Sequence, residues 1–470
     1  MEIKITKRDV LWGYTAQFFN IGVNVLILPF ILRLLPVEIL GIWYVFLSIS
    51  AFVLMLDFGF QPTFARNVAY VMSGATRLKA EGVDEEAEVL DCPNYALLKN
   101  IIKTMRRFYG YVSLAALGLM LTVGTWYVFR TTESLSSQSE VLCAWFIFVA
   151  YTVLNLFYSY YNALLVGKGQ VKEYNQMTIV TKLVYLLLAV AGLLGGYGII
   201  SIAMANLISI IVNRLLARYF FYRDGIGVQL RTVDCGKERL FPVIWYNAKK
   251  NGIGSVGAYF VQKGNVLFVS MFLPLETVAS FGLTSQVVTI LSGVTPLYLS
   301  THLPEIYKFR INHQLKEIRR VFGESVFVYV LLYVAGAIVL LLWGNPILSL
   351  LDSKTHLIGT MALFLFLVIQ FLEANHGMAA LLITTRNEVP YVGASLISGA
   401  CIASLTLLSL AFTDLGLIGV ILSAGIVQLC YNNWKWPSVI CKELGGNYVT
   451  FFKEGGASLL AFCRRHWAKG

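Results

Sequence analysis

Residues 54–67 read LMLDFGFQPTFARN, with an Asp, a Pro and an Arg set into a run that is otherwise apolar. As a catalytic loop, Asp57-Phe58-Gly59 would hold magnesium in a kinase. That reading needs a Gly-rich phosphate loop, a His-Arg-Asp loop and strand-forming flanks, and the sequence offers none of them. The flanks are apolar at helical length, so the tripeptide is a chance match. The stretch instead ends a membrane-spanning helix, in which Asp57 carries one acid into a polar lumen and Arg66 sits at its cytoplasmic mouth. Pro62 lies between them and predicts a kink.

The rest of the chain supports this reading. Of 470 residues, 57% are hydrophobic and 13% are charged, and the mean hydropathy is +0.69; soluble domains carry about 25% charged residues. Apolar runs long enough to cross roughly 30 Å of hydrocarbon recur from end to end. They predict twelve spans near 10–33, 40–66, 108–129, 141–165, 176–196, 198–222, 249–273, 277–304, 322–343, 358–384, 390–412 and 416–440. The first run lacks a small-residue cleavage site, so it is expected to stay as a span.

With the N-terminus inside, 33 of the 37 Lys and Arg residues fall on cytoplasmic segments. This bias predicts both termini in the cytoplasm and explains the net charge of +11 without a nucleic-acid partner. The seven Cys residues form no CxxC pair and have no His at metal spacing, which predicts reduced thiols and neither a disulfide framework nor a metal site. No P-loop, HExxH or GxSxG motif is present, so transport would rest on an ion gradient or mass action rather than on nucleotide hydrolysis.

Leu35-Pro36-Val37-Glu38 after the first span has a counterpart in Leu273-Pro274-Leu275-Glu276 after the seventh, and Ala163-Leu164-Leu165 ending the fourth has one in Ala380-Leu381-Leu382 ending the tenth. These matches predict an all-α integral membrane protein of two six-helix lobes, 1–222 and 249–440, joined by a cytoplasmic linker at 223–248 and followed by an amphipathic tail at 441–470. Because six is even, the pseudo-twofold axis relating the lobes runs along the membrane normal, as in transporters that alternate access to a site between parallel repeats. The tail is expected to lie along the inner leaflet.

A charge at mid-bilayer costs roughly 2.5–3.5 kcal/mol on insertion scales, so each one needs a partner or a water-filled cavity. Asp57, Lys263, Glu373 and His376 are the residues to explain, with Arg66 and Lys182 nearer the cytoplasmic ends. Tyr259 and Ser255 share the face of Lys263. Polar stripes also run along the first span (Gln17, Asn20, Asn24), the fourth (Asn155, Tyr158, Asn162) and the sixth (Asn206, Ser209, Asn213). Amides and hydroxyls on such stripes either contact a substrate or glue helices together. Glu373 and His376, three residues apart, are either a proton-coupling pair or a structural one.

The segments LLPVEILGIWYVF (34–46), LDFGFQPTFARNVA (56–69) and YYNALLVGKGQVKEYN (160–175), with the amide-bearing first span, resemble the polysaccharide (O-antigen or capsule) flippases of the multidrug/oligosaccharidyl-lipid/polysaccharide exporter superfamily. The resemblance implies a bacterial inner-membrane protein that reorients undecaprenyl-diphosphate-linked oligosaccharide from the cytoplasmic to the outer leaflet. It implies that Arg66, Lys263 and Lys182 meet the diphosphate, and that Tyr158 is among the aromatic groups offered to the sugar. Asn24, Asn155 and Tyr259 complete the expected substrate set, and Asp57, Glu373 and His376 are expected to couple transport to an H+ or Na+ gradient. Implied partners are the lipid-linked oligosaccharide, membrane lipids and the polysaccharide polymerase machinery, and a monomer suffices. Two central acids keep a cation-coupled multidrug exporter of the same superfamily as the alternative. A lipid II flippase commonly has two more spans, and a membrane O-antigen polymerase needs longer external loops than this chain has.

Overall fold

The computed structural model describes residues 7–78, 90, 92–234, 240–262, 264–294, 296–386 and 390–467. Lys263, residues 81–89 and the side chains of Gln17, Asn20 and Ser255 lie outside the described residues. The chain divides into two compact units, Met1–Tyr259 and Phe260–Gly470.

In the first unit, α1 (Lys7–Leu34) leads to Pro36, which stands at the N-cap of α2 (Val37–Leu54) with φ −58°. Pro has no N–H to lose there, and Glu38 in the first turn faces the positive end of the helix dipole. α2 is apolar on every side and buries Trp43 and Phe46 against Trp145 and Phe148 of α6 (Gln138–Phe157), with ring centroids 5.0–5.5 Å apart.

The expected second span is interrupted at the quoted tripeptide. Met55–Asp57 tighten into a 3-10 turn, Phe58 and Gly59 adopt left-handed φ of 47° and 66°, and the chain restarts as α3 (Phe60–Met72). The expected kink at Pro62 is therefore displaced to Phe58-Gly59. Pro62 sits in the first turn of α3, where a missing N–H costs nothing. Gly59→Val puts a β-branched side chain into the left-handed well and is expected to cost about 1–2 kcal/mol; an unchanged melting temperature would contradict this.

The unit continues through α4 (Tyr95–Leu119), a π-turn at Met120–Gly124, α5 (Thr125–Thr131), α6, α7 (Tyr160–Gly167), α8 (Val171–Leu194), α9 (Gly198–Tyr222) and the short α10 (Ile226–Thr232). α11 (Phe241–Gln262) belongs to this unit up to Tyr259. The expected fourth span, like the second, is broken, at Tyr158-Ser159 between α6 and α7.

The second unit holds α12 (Gly264–Phe272), α13 (Leu275–Val294), α14 (Leu297–Thr301), α15 (Leu303–Ile311), α16 (Leu315–Leu350), α17 (Thr360–Thr384), α18 (Val392–Phe412), α19 (Gly416–Cys430), α20 (Asn432–Leu444) and α21 (Tyr448–Trp467). Pro274 precedes α13 as Pro36 precedes α2, and Glu276, like Glu38, occupies the first turn. The core gathers Phe322, Tyr329, Tyr333, Trp436 and Phe451. The tail expected to lie on lipid is α21, docked on α16. Phe451 is fully buried, Arg319 pairs with Glu454 at 2.6 Å, and Ser458 donates to Glu324 at 2.5 Å.

Ten helical stretches among the described residues are long and apolar enough to cross a membrane. The expected first and seventh spans are helical but fall short of that measure. α1 offers only Ile21–Leu34 as an apolar run, and α11 carries Asn247, Lys249, Lys250 and Asn251 in its first half. Cys92, Cys143, Cys401, Cys430 and Cys441 are free thiols, as expected for these five.

Candidate functional site

The two broken helices of the first unit are held by side chains from α4 and α9. Asp57, at the break between α2 and α3, does two things. Its Oδ2 accepts from the backbone N–H of Gln61 at 3.3 Å, capping α3, and its Oδ1 accepts from the Tyr109 hydroxyl of α4 at 2.5 Å. Tyr109 is fully buried. Tyr109→Phe is expected to weaken the hold on the break and lower stability by about 1–2 kcal/mol, read as a melting shift, because the half-buried Asp57 carboxyl loses a donor; a neutral outcome would contradict the bond.

The break between α6 and α7 is held by Arg214 of α9. At the break, the Ser159 N–H turns to the Leu156 carbonyl at 3.2 Å, which releases the Asn155 carbonyl from its usual donor one helical turn on. Arg214 Nη2 takes that carbonyl at 3.1 Å and the Asn155 Oδ1 at 2.8 Å, while Nη1 donates to Asn162 Oδ1 at 2.9 Å. One guanidinium thus spans the break, with one amide before it and one after. Arg214 is 8% exposed, and among the described residues its Nε has no hydrogen-bond partner and the side chain has no ion pair.

Arg214 was missed in the sequence because it was counted with the basic residues after the sixth span. Its flanks, Ile-Ile-Val-Asn before and Leu-Leu-Ala after, carry the signal that it lies inside the helix. Of the predicted polar stripes, Asn155 and Asn162 serve as partners for this cation, and Asn213 donates to Thr181 of α8 at 2.9 Å. Asn206 and Ser209 bond back to carbonyls of their own helix, at 2.9 and 2.8 Å.

The remaining expected ligands are spread along the fold. Tyr158 lies at the α6/α7 break, half-buried, and Asn24 is half-buried on α1. Arg66 is exposed on α3, and Lys182 is half-buried on α8; neither has an ion pair among the described residues. Tyr259 is buried and donates to the Ser48 carbonyl at 3.1 Å, with its ring edge-on to Phe52.

In the second unit, Glu373 and His376 of α17 are together. His376 Nε2 is 3.7 Å from Glu373 Oε1, Gln428 donates to the same oxygen at 3.2 Å, and His376 Nδ1 is 2.8 Å from Asn433 Oδ1. Both residues, with Gln370, Asn265, Ser285 and Thr289, line a cavity of about 450 Å³ inside this unit. At 3.7 Å the two groups are within ion-pair range but beyond direct hydrogen-bond reach, and the cavity leaves space beside them.

Where α9 ends, Lys168 donates to Asp224 at 2.7 Å and to the Phe221 carbonyl at 3.2 Å, and Gln170 donates to Asp224 at 3.1 Å. The Lys168 bond holds the Asp224 carboxyl below the usual carboxylate range. A depressed folded value means the contact is fully present above the unfolded pKa of about 3.9 and is lost as pH falls through the folded one. Amide protection factors at 223–232, with exchange normalised to the intrinsic rate at each pH, are expected to be steady from neutral pH to about 4.5 and to fall below about 3.9; a fall near neutrality would contradict this assignment.

The chain matches no protein-family model, and no curated protein matches its sequence. Among solved structures it is similar to an inward-facing multidrug resistance MATE family transporter of the MOP superfamily, with 14% identity over 96% of each chain and a TM-score of 0.64. It is also similar to the lipid II flippase MurJ in an inward closed conformation, with 12% identity, 98% of this chain, 93% of that one and a TM-score of 0.63. A MATE structure in the straight conformation matches at 14% identity over 93% of this chain and 96% of that one, with a TM-score of 0.57. The chain is an all-α integral membrane protein of about twelve spans with the fold shared by these MATE and MurJ structures.

Proposed function

We propose that the chain is a non-enzymatic flippase that moves undecaprenyl-diphosphate-linked oligosaccharide from the cytoplasmic to the outer leaflet of a bacterial inner membrane by alternating access. The observation that carries this reading is the charge inside the first unit. Arg214 is buried against neutral amides instead of a carboxylate, Lys182 lies half-buried beside no acid among the described residues, and the carboxylate of Asp57 is already engaged by Tyr109 and the Gln61 N–H. An interior with more cations than acids favours an anionic cargo and disfavours a cationic drug. The fold is shared with both a lipid II flippase and a multidrug transporter, so the charge of the site is what separates the two readings.

In this account Arg66, Lys182 and Lys263 meet the diphosphate and Asn24, Tyr158 and Tyr259 the sugar, while Asn155 acts through Arg214. Asp57 and the Glu373–His376 pair couple the cycle to H+ or Na+. The sugar polymerase machinery takes the product. Deleting the gene and extracting inner-membrane lipids tests the reading: a lipid-linked repeat unit accumulates on the cytoplasmic leaflet and surface polymer is lost. Unchanged glycolipids with altered resistance to cationic dyes would replace the flippase with the multidrug exporter.

A further inference from the structure

A second cavity, of about 1030 Å³, lies wholly within the first unit, among α4, the α6/α7 break, the end of α9 and α10. Five cations line it, Lys99, Arg106, Arg218, Arg223 and Arg231, and among the described residues no carboxylate does. Five tyrosines share the wall, with Tyr158, Tyr160 and Tyr161 at the helix break and Tyr219 and Tyr222 on α9.

The cations are not all spent on one another's neighbours. Arg223 pairs with Glu173 at 2.7 Å, and Lys99 donates to the Val233 carbonyl at 2.7 Å, closing α10 onto α4. Arg106 lies over the Tyr160 ring, 5.8 Å from its centroid. Among the described residues, Arg106, Arg218 and Arg231 make no ion pair, so three guanidinium groups face one concave space without a counter-charge. Such groups in a fixed fork geometry bind phosphate oxygens in pairs, and tyrosine hydroxyls donate to the same oxygens.

One side of this space is apolar. Ile208, Ile211, Leu215 and Tyr219 follow one another at helical spacing along α9 and are all exposed, Leu215 at 63% and Tyr219 at 62%. The stripe ends at the cavity, because Leu215 and Tyr219 belong to its wall. A free phosphate would use the cations and leave the stripe idle; a lipid uses both, with its head among the arginines and its chain along α9.

We propose that this cavity is a binding site for the phosphate or diphosphate head of a membrane lipid, held chiefly by Arg106, Arg218 and Arg231 with its acyl or prenyl chain along the exposed face of α9. The site adjoins the α6/α7 break that Arg214 holds, and the proposal does not depend on the chain being a flippase. One anchor rests on a held corner: α10 follows Gly225 in a left-handed conformation, and the Lys168–Asp224–Gln170 contact fixes the turn that brings Arg231 to the cavity.

The test uses the purified full-length chain in nanodiscs of phosphatidylcholine, doped either with phosphatidylglycerol or with undecaprenyl diphosphate, and counts retained lipid by native mass spectrometry. The wild type is expected to retain a doped lipid, and Arg218→Gln with Arg231→Gln to weaken retention roughly tenfold or more. Arg130→Gln, which removes an exposed cation paired with Glu133 at 2.8 Å, leaves retention unchanged. Preference for undecaprenyl diphosphate assigns the site to a diphosphate lipid, and equal or greater retention of phosphatidylglycerol assigns it to anionic phospholipid. Inorganic pyrophosphate, added as competitor, displaces the head only weakly if the chain contributes. Retention of neither lipid by the wild type, equal retention by the double variant, or full displacement by pyrophosphate at a concentration matched to the lipid overturns the proposal.

Discussion

Replacing Asn155 and Asn162 together by Leu destabilises the protein more than removing Arg214 itself. The double variant keeps the buried guanidinium but leaves it one backbone carbonyl in place of three oxygen acceptors. A buried charge that loses its partners costs roughly 3–5 kcal/mol, because it can neither be hydrated nor easily deprotonated. Arg214→Met removes the charge and its desolvation cost together, leaving neutral amides and one carbonyl without a donor, at roughly 1–2 kcal/mol. Combining all three substitutions is expected to return stability close to that of Arg214→Met. Thermal unfolding of the detergent-solubilised protein gives the order directly. If Arg214→Met costs as much as the double amide variant, the amides are not what compensates the charge.

Adding one methyl group at Gly455 is expected to undock the C-terminal helix. A Cβ there would lie 2.1 Å from the Gly323 carbonyl oxygen and 2.6 Å from the Glu324 nitrogen. Both are backbone atoms of α16, so no side chain can swing away and the helices must separate. Separation exposes Phe451, whose full burial contributes about 1.5–3 kcal/mol. It also takes the Ser458 hydroxyl from Glu324, a buried carboxylate that would keep Tyr298 at 2.8 Å and Arg320 at 3.1 Å. Losing about 2 kcal/mol of docking raises the open population roughly 30-fold, so limited trypsin digestion at Lys453 of Gly455→Ala accelerates by that order. Gly393→Ala, with nothing within 4 Å of the new Cβ, is the matched control. Equal digestion of the two variants would contradict the close approach of α16 and α21.

The sequence carried the spans further than it carried the site. Apolar length placed a helix at each of the twelve expected spans, and Leu-Pro-x-Glu opened α2 and α13 because Pro and an acid both suit a helix start. Hydropathy is blind to backbone hand, however, and the left-handed pair Phe58-Gly59 that divides the second span lies inside an apolar window. Pro62 was the visible signal and the wrong one. The same blindness moved Arg214 out of its helix: counting charges toward the nearest loop is sound for topology and silent about a guanidinium that bonds inward. Asn155 and Asn162 were on the right face, but a stripe names no partner, and their partner comes from a helix more than fifty residues away. The arginines of the α9–α10 corner were likewise read as topology signals, because only the fold brings Arg106 to Arg218 and Arg231.

In the proposed cycle the chain reorients an anionic lipid-linked sugar. The most direct measurement reconstitutes the purified protein into vesicles containing fluorescent undecaprenyl-diphosphate-linked oligosaccharide and follows its exposure to a membrane-impermeant glycosidase under an imposed H+ or Na+ gradient. The account predicts that the protected fraction becomes accessible in protein-containing vesicles and stays protected in protein-free ones. Equal protection in both, together with gradient-driven movement of a cationic dye by the same vesicles, would contradict it.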